Sequence, residues 1–393
     1  MSDNDDQILY DQAADLYEQE KLPEARELLE RILVRSPYEH PAIILLAAVL
    51  FKMKEFLFAE ELAIIGLSMC PDDPLAQDVL KLVAQERAEN RNAVYYNHYM
   101  INRARFMHYP QSVSLETTGR CNAACSFCPH PDLDRNKGSM SDAMFEKIIT
   151  DLEAIPKDHK FTISPGGINE PFMDKKFFTR LRMINERLPQ AGLIFFTNLN
   201  VMHRDFAEEI IKIQNIEYFN VSFNAANPEE YESVMKIKFD RTVKNLKSLM
   251  TLNRQSKFMK LPVILSRVGD LTDADDRYGP EVQALFSDFT EHEDYTFKVK
   301  RRTNWINKLD ISTHDVPTYQ PCTAWFDLFI HSNGQIPHCC MDSDATYAIG
   351  HVMEKSVLEI YNGANFKYLR ETIPWRGAAG SPCNLSLIHI SEP

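Results

Sequence analysis

The chain has 393 residues, 44% of them hydrophobic and 25% charged, an ordinary globular composition with room for two or three domains. Its formal charge of −13 argues against nucleic acid as the main partner. The longest apolar run, Ala42 to Phe51, is too short to cross a bilayer, and the acidic start from Met1 to Gln7 lacks a signal-peptide core, so the expectation is a cytoplasmic protein without a membrane partner. Eight cysteines, grouped rather than scattered, fit metal binding in a reducing compartment better than a disulfide framework.

The first ninety residues repeat with a period of 34. Ala25 matches Ala59, Pro37 matches Pro71, and Leu16–Tyr17 match Leu50–Phe51, while Pro23–Leu28 and Leu57–Leu62 hold the same place in each unit. Ser36–Pro37 and Cys70–Pro71 close their helices, because proline restricts the residue before it. Two such units and a following helix, Asp73 to Glu89, resemble tetratricopeptide repeats over residues 1–92. A stack of that kind offers a concave face to a peptide or protein partner; a helical cap with no partner is the alternative. Cys70 is expected to pack as an apolar residue.

From Gln111 to Val299 the pattern alternates between short apolar strands and longer amphipathic helices. The strands are expected at Ser112–Glu116, Lys160–Pro165, Leu193–Thr197, Tyr218–Phe223, Pro262–Arg267 and Tyr295–Val299. Helices are expected at Asp142–Ile155, with Ser141 as N-cap, and at Lys175–Leu188, Arg204–Ile213, Pro228–Met235, Arg241–Asn253 and Glu281–Phe289. Six strand–helix units in succession imply an α/β fold with a parallel sheet and right-handed crossovers, placed at residues 93–310.

Directly after the first strand comes Cys121, Cys125 and Cys128, a C-x3-C-x2-C loop with no fourth cysteine beside it. Three thiolates on a four-iron cluster leave one iron open for a substrate or cofactor, whereas a four-cysteine loop closes the cluster. A structural zinc site is the alternative, although such sites are usually built from two C-x2-C pairs. The spacing resembles that of the radical S-adenosylmethionine (SAM) enzymes. The resemblance implies a partial (βα)6 TIM-like barrel, a [4Fe–4S] cluster with an open iron on Cys121, Cys125 and Cys128, SAM bound at that iron, and reductive cleavage to a 5′-deoxyadenosyl radical. It also implies an electron donor such as flavodoxin or ferredoxin. In a parallel barrel the site lies at the C-terminal strand ends, where this loop sits.

The other strand ends extend the resemblance. Gly167-Ile-Asn-Glu-Pro171 is similar to the family's G-x-G-E-P loop, which contacts the SAM amino group, with Asn169 in place of glycine. Asn tolerates a left-handed backbone, so the turn is expected to survive. Gly166, Gly167 and Glu170 are thereby candidate cofactor contacts. Phe196-Thr-Asn-Leu199 stands where relatives have T-N-G, which makes Asn198 a candidate; Ser222, in Asn220-Val-Ser-Phe-Asn224, is a candidate ribose or carboxylate contact. Arg267 ends the fifth strand and is a candidate for pairing with the SAM carboxylate, a surface salt bridge being the alternative. Phe127 lies between two ligands and is placed near the adenine; His130 is read as structural.

Cys322, Gly334 and Cys339 are spaced C-x11-G-x4-C, which resembles the opening of SPASM and Twitch extensions. That resemblance implies at least one auxiliary iron–sulfur cluster over residues 311–384, with Cys322, Cys339 and Cys383 as ligands; a four-cysteine zinc site is the alternative. Ala324–His331 followed by Ser332-Asn-Gly-Gln335 reads as a β-hairpin with an Asn-Gly turn, returning Cys339 beside Cys322. Ile349–Met353 and Leu358–Gly363 resemble the family's linker toward its last ligands, and Cys340 is unassigned. Residues 385–393 read as a translated sequencing adapter, so a cysteine is expected at position 386 in place of Ser386. The expected function is a radical SAM oxidoreductase or maturase acting on a peptide or small molecule. A repeat scaffold with zinc-stabilised domains and a cluster-binding electron-transfer protein are the alternatives.

Overall fold

The computed structural model describes residues 3–89, 91–203, 205–255, 261–269, 272–309, 322–372, 379, 381–383 and 385. The chain divides into two compact units, Met1–Met100 and Ile101–Pro393. The expected start of a helix at Arg204 and the cysteine expected at position 386 fall outside the described residues.

The first unit is helical: α1 (Asp3–Glu18), α2 (Leu22–Arg35), α3 (His40–Lys52), α4 (Phe56–Met69) and α5 (Pro74–Glu89), with α6 (Arg91–Phe106) following. The starts of α2 and α4, and those of α3 and α5, are separated by the sequence period. Every residue of α3 from Ala42 to Leu50 is buried. A helix apolar on all sides must be surrounded, and α3 packs against α2, α4 and α5. The run too short to span a membrane is therefore the centre of this unit's core. No helix among the described residues is long and apolar enough to cross a membrane. Cys70 is exposed rather than packed, because it caps the end of α4 instead of facing the helix stack.

The second unit is built on a seven-stranded parallel sheet. Its strands are β1 (Ser112–Leu115), β2 (Phe161–Ser164), β3 (Ala191–Thr197), β4 (Ile216–Ser222), β5 (Val263–Gly269), β6 (Thr296–Arg301) and β7 (Asp327–Ile330), in the order β6-β5-β4-β3-β2-β1-β7. The connecting helices are α7 (Asp142–Leu152), α8 (Phe177–Arg187), α9 (Phe206–Ile210), α10 (Pro228–Met235), α11 (Phe239–Gln255) and α12 (Asp273–Leu285). Consecutive parallel strands joined by helices give the α/β architecture expected, and β1 to β6 coincide with the expected strands to within two residues at most ends. Alternate residues such as Val113, Leu115, Ile163 and Leu265 are fully buried under the helices.

Two segments differ from expectation. Asp327–Ile330 is not half of a hairpin: it pairs in parallel with β1, Val113 opposite Leu328, and so adds a seventh strand to the sheet. The Asn-Gly turn exists, with Gly334 at φ 90, but β8 (Gln335–Pro337) pairs antiparallel with β9 (Ala348–His351) instead. The C-terminal region thus shares the barrel sheet; α13 (Val357–Tyr361) and α14 (Ala364–Thr372) complete it. The second difference is α12, which starts at Asp273 and runs through Pro280. Three acidic residues in its first turn favour that start, and the Tyr278 hydroxyl donating to the Phe223 carbonyl at 2.6 Å anchors the turn before the proline.

Candidate active site

The three-cysteine loop leaves the C-terminal end of β1 and is pinned on both sides. Ala124 and Ser126 donate backbone N–H bonds to the carbonyls of Met235 and Val234, at the end of α10. From the opposite side Arg302 donates to the Ser126 carbonyl at 2.8 Å, and the Trp305 indole donates to the Phe127 carbonyl at 3.0 Å. His130 bonds the Gly119 carbonyl at 2.9 Å, the structural role expected of it.

Burial pushes the Cys121 thiol up to about 12 and the Cys128 thiol up to about 11, and raises Cys125 as well. Protonated thiols in such a place must exchange their protons for metal to become ligands. Among the described residues no three His, Cys, Asp or Glu side chains converge on a point that would hold a single metal ion. Zinc needs its ligands around one centre. A cluster instead needs one thiolate per iron, spread over several irons.

A cavity of about 370 Å3 opens beside the loop, lined by all three cysteines and by Phe127, Gly167, Glu170, Asn198 and Ser222. Gly166 lines the neighbouring cavity rather than this one. Glu170 is buried and accepts from Thr197 Oγ1 and the Asn198 N–H, each at 2.7 Å, which ties the second strand end to the third. Burial raises its carboxyl to about 7 against the lowering effect of those bonds. Asn198 Nδ2 reaches Asn122 Oδ1 at 3.0 Å and so turns toward the cysteine loop. Asn169 shows no left-handed backbone; its Oδ1 accepts from the Gly167 N–H at 2.7 Å and closes the loop as a side-chain turn. The residue lines the cavity, and its buried Nδ2 has no hydrogen-bond partner among the described residues. An orphaned donor beside three thiols is what a polar cofactor would satisfy, so the residues present fit a cluster with SAM next to it.

Arg267 does not fit its expected role. Its guanidinium donates to Asp275 and Glu230, each at 2.7 Å, and to the Asn224 carbonyl. Side chains alternate along β5, so Val268 faces the cavity while Arg267 faces the helices. Positive charge comes instead from Lys300 and Arg301 at the end of β6. Leu199, standing where glycine was expected, holds φ 51 and is fully buried. The left-handed turn survives without glycine at a cost of about 1–2 kcal/mol.

Below the loop, Glu116 accepts from Arg135 at 2.6 and 2.8 Å, with the N–H groups of Ile168 and Ser332 each at 3.3 Å. Burial alone would raise this carboxyl. His331, 3.7 Å away, and Arg135 outweigh it and hold Glu116 at about 2. This pair joins the cysteine loop, the second strand end and the C-terminal turn, and sequence reasoning missed it because Glu116 and Arg135 carry no motif. Trp305, Ile306 and Asn307 are three successive left-handed residues, φ 49, 54 and 63, another strained feature no pattern announces.

Cys322, Cys339, Cys340 and Cys383 are all buried. Cys322 and Cys339 both lie within electrostatic reach of Cys340. Cys383 lies 3.5 Å from His338 Nε2 and accepts from the Trp325 indole at 3.4 Å. His338, next to Cys339, is a neighbour the spacing did not suggest.

Residues 115–263 match the radical SAM superfamily, and residues 322–384 match the iron–sulfur cluster-binding SPASM domain. A tungsten-containing aldehyde ferredoxin oxidoreductase cofactor-modifying protein of Pyrococcus furiosus is 28% identical over 108 residues, 27% of this chain. That match spans only 29% of the relative's own length. Streptococcus suis SuiB bound to its precursor peptide SuiA shares the fold with TM-score 0.50 and 13% identity, over 85% of this chain and 84% of that one. BtrN in complex with AdoMet and 2-DOIA aligns with TM-score 0.47 and 15% identity, over 70% of this chain and 92% of that one. Residues 115–263 therefore form a radical SAM domain, and residues 322–384 a SPASM domain. The first domain implies a [4Fe–4S] cluster and SAM, and the second implies auxiliary iron–sulfur clusters.

Proposed function

We propose that the protein is a radical SAM oxidoreductase or maturase, with Cys121, Cys125 and Cys128 as the ligands of the SAM-binding cluster. When bound, that cluster would supply the electron that cleaves SAM to methionine and a 5′-deoxyadenosyl radical, which becomes 5′-deoxyadenosine by taking a hydrogen atom from substrate. The observation that carries this reading is the position of the three thiols: on one pinned loop at the C-terminal end of β1, facing a cavity with an orphaned Asn169 donor. Around that cavity Glu170 fixes two strand ends against each other, Phe127 and Ser222 offer an aromatic face and a hydroxyl, and Lys300 and Arg301 bring positive charge in place of Arg267. Cys322, Cys339 and Cys383 are the proposed auxiliary ligands; the cluster they would hold would take up or relay the electron the substrate gives up, while flavodoxin or ferredoxin would reduce the SAM-binding cluster.

A peptide or protein substrate is the reading favoured here, on the regular helix spacing of the first unit, which supports tetratricopeptide-like repeats as a docking stack. SuiB, of the same fold, is seen with a precursor peptide. The test is 5′-deoxyadenosine formation by anaerobically iron-loaded protein given SAM and a strong reductant. Product that vanishes in the Cys121/Cys125/Cys128→Ala variant is expected; iron-loaded protein that yields none contradicts the reading.

A further inference from the structure

A second cavity, of about 210 Å3, lies inside the barrel behind the first, with Gly167, Ile168, Phe196, Trp305 and Met341 as the shared wall. It is smaller than a whole-ligand site, so it suits one end of a molecule or one side chain. Asp327, the first residue of β7, lines it together with Phe329, which lies opposite Ser114 of β1. Among the described residues no donor bonds the Asp327 carboxyl and no charged side chain offsets it; burial alone acts on it and raises its pKa to about 7. The cavity's other carboxylate, Glu116, is already matched by Arg135. Among the described residues the cavity's basic side chain is His331, 3.7 Å from Glu116, with no lysine or arginine, whereas the rings of Phe196, Trp305 and Phe329 line it.

A carboxylate with no counter-charge is costly in such a place, and aromatic faces around it favour a cation over an anion. We infer that this inner cavity is a substrate subsite for a protonated amine, with Asp327 as its counter-ion; the inference rests on the reading of the barrel as a SAM-dependent active site. The substrate class is thereby narrowed to molecules carrying a primary amine. Asp327 is a binding residue in this account. Carboxylate- or phosphate-tipped substrates are disfavoured at the same place.

The test uses full-length, iron-loaded protein and three probes of one size: pentylamine, pentanol and pentanoate, compared by saturation-transfer NMR at about pH 8, where the amine is charged. Pentylamine is expected to bind wild type, and to do so more strongly than the other two by roughly fivefold or more. That preference is expected to disappear in Asp327→Asn, a change that removes an uncompensated charge rather than a packed group. Absent pentylamine binding, equal binding of the three probes by wild type, or an undiminished preference in Asp327→Asn would each overturn the amine site. Failure of wild type to form 5′-deoxyadenosine would instead overturn the SAM reading while leaving the probe result standing.

Discussion

Glu116 is the residue on which most of the site's geometry depends. It receives Arg135 through two short bonds and the N–H groups of Ile168 and Ser332, so three strand ends meet at one carboxylate. Removing one partner of such a buried pair leaves the other uncompensated, and Glu116→Gln is expected to cost about 3–5 kcal/mol in urea denaturation of the barrel unit. The pH dependence follows from the depressed pKa. The pair's contribution is fully present above the ordinary carboxylate value of about 4.3 and is lost as pH falls toward the folded value of about 2. In Glu116→Gln that acid-side loss is expected to be absent. At this scale the sequence was a partial guide. The three cysteines and Glu170, picked out by local spacing, and Asn198 and Ser222, picked out as strand ends, all line one cavity. Arg267 does not, since one residue along a strand reverses the face, and its two carboxylate partners come from the connections on either side of β5. Leu199 shows the converse: its burial offsets a backbone state that the sequence suggested only glycine would take.

Individual elements were easier to read where a local signal and the tertiary contacts agree. Ser141 caps α7, its hydroxyl accepting from the Met144 N–H at 3.2 Å, as a serine before an amphipathic run should. Ser141→Ala is expected to cost about 1 kcal/mol, measured by thermal or urea denaturation, without changing iron content. Strands buried on both faces, such as β3 and β5, announce themselves as apolar runs, while β1 and β6 show as alternation. β7 was misjudged because its partner is more than two hundred residues away and the nearer Asn-Gly turn offers a simpler pairing. The proline in α12 misled for a similar reason. Arg267 and Phe223 hold Asp275 and Tyr278 from outside the helix, and those contacts extend it in front of Pro280.

For the whole molecule, the residue pattern placed a helical unit ahead of an α/β unit, and the structure divides the chain at Met100. What the pattern could not place was the sharing of one sheet between the barrel and the C-terminal region, since β7 lies between cysteines read only as ligands. That sharing sets Asp327 and Cys340 on the wall of one cavity and the three-cysteine loop on the wall of the next. The role proposed for Cys121, Cys125 and Cys128 is to hold a cluster whose open iron takes SAM. It is tested most directly by electron paramagnetic resonance of the reduced, iron-loaded protein with and without SAM. A spectrum that changes on adding SAM, and a change that is lost in the Cys121/Cys125/Cys128→Ala variant, is the predicted result. An iron-loaded protein whose spectrum is the same with and without SAM would contradict it.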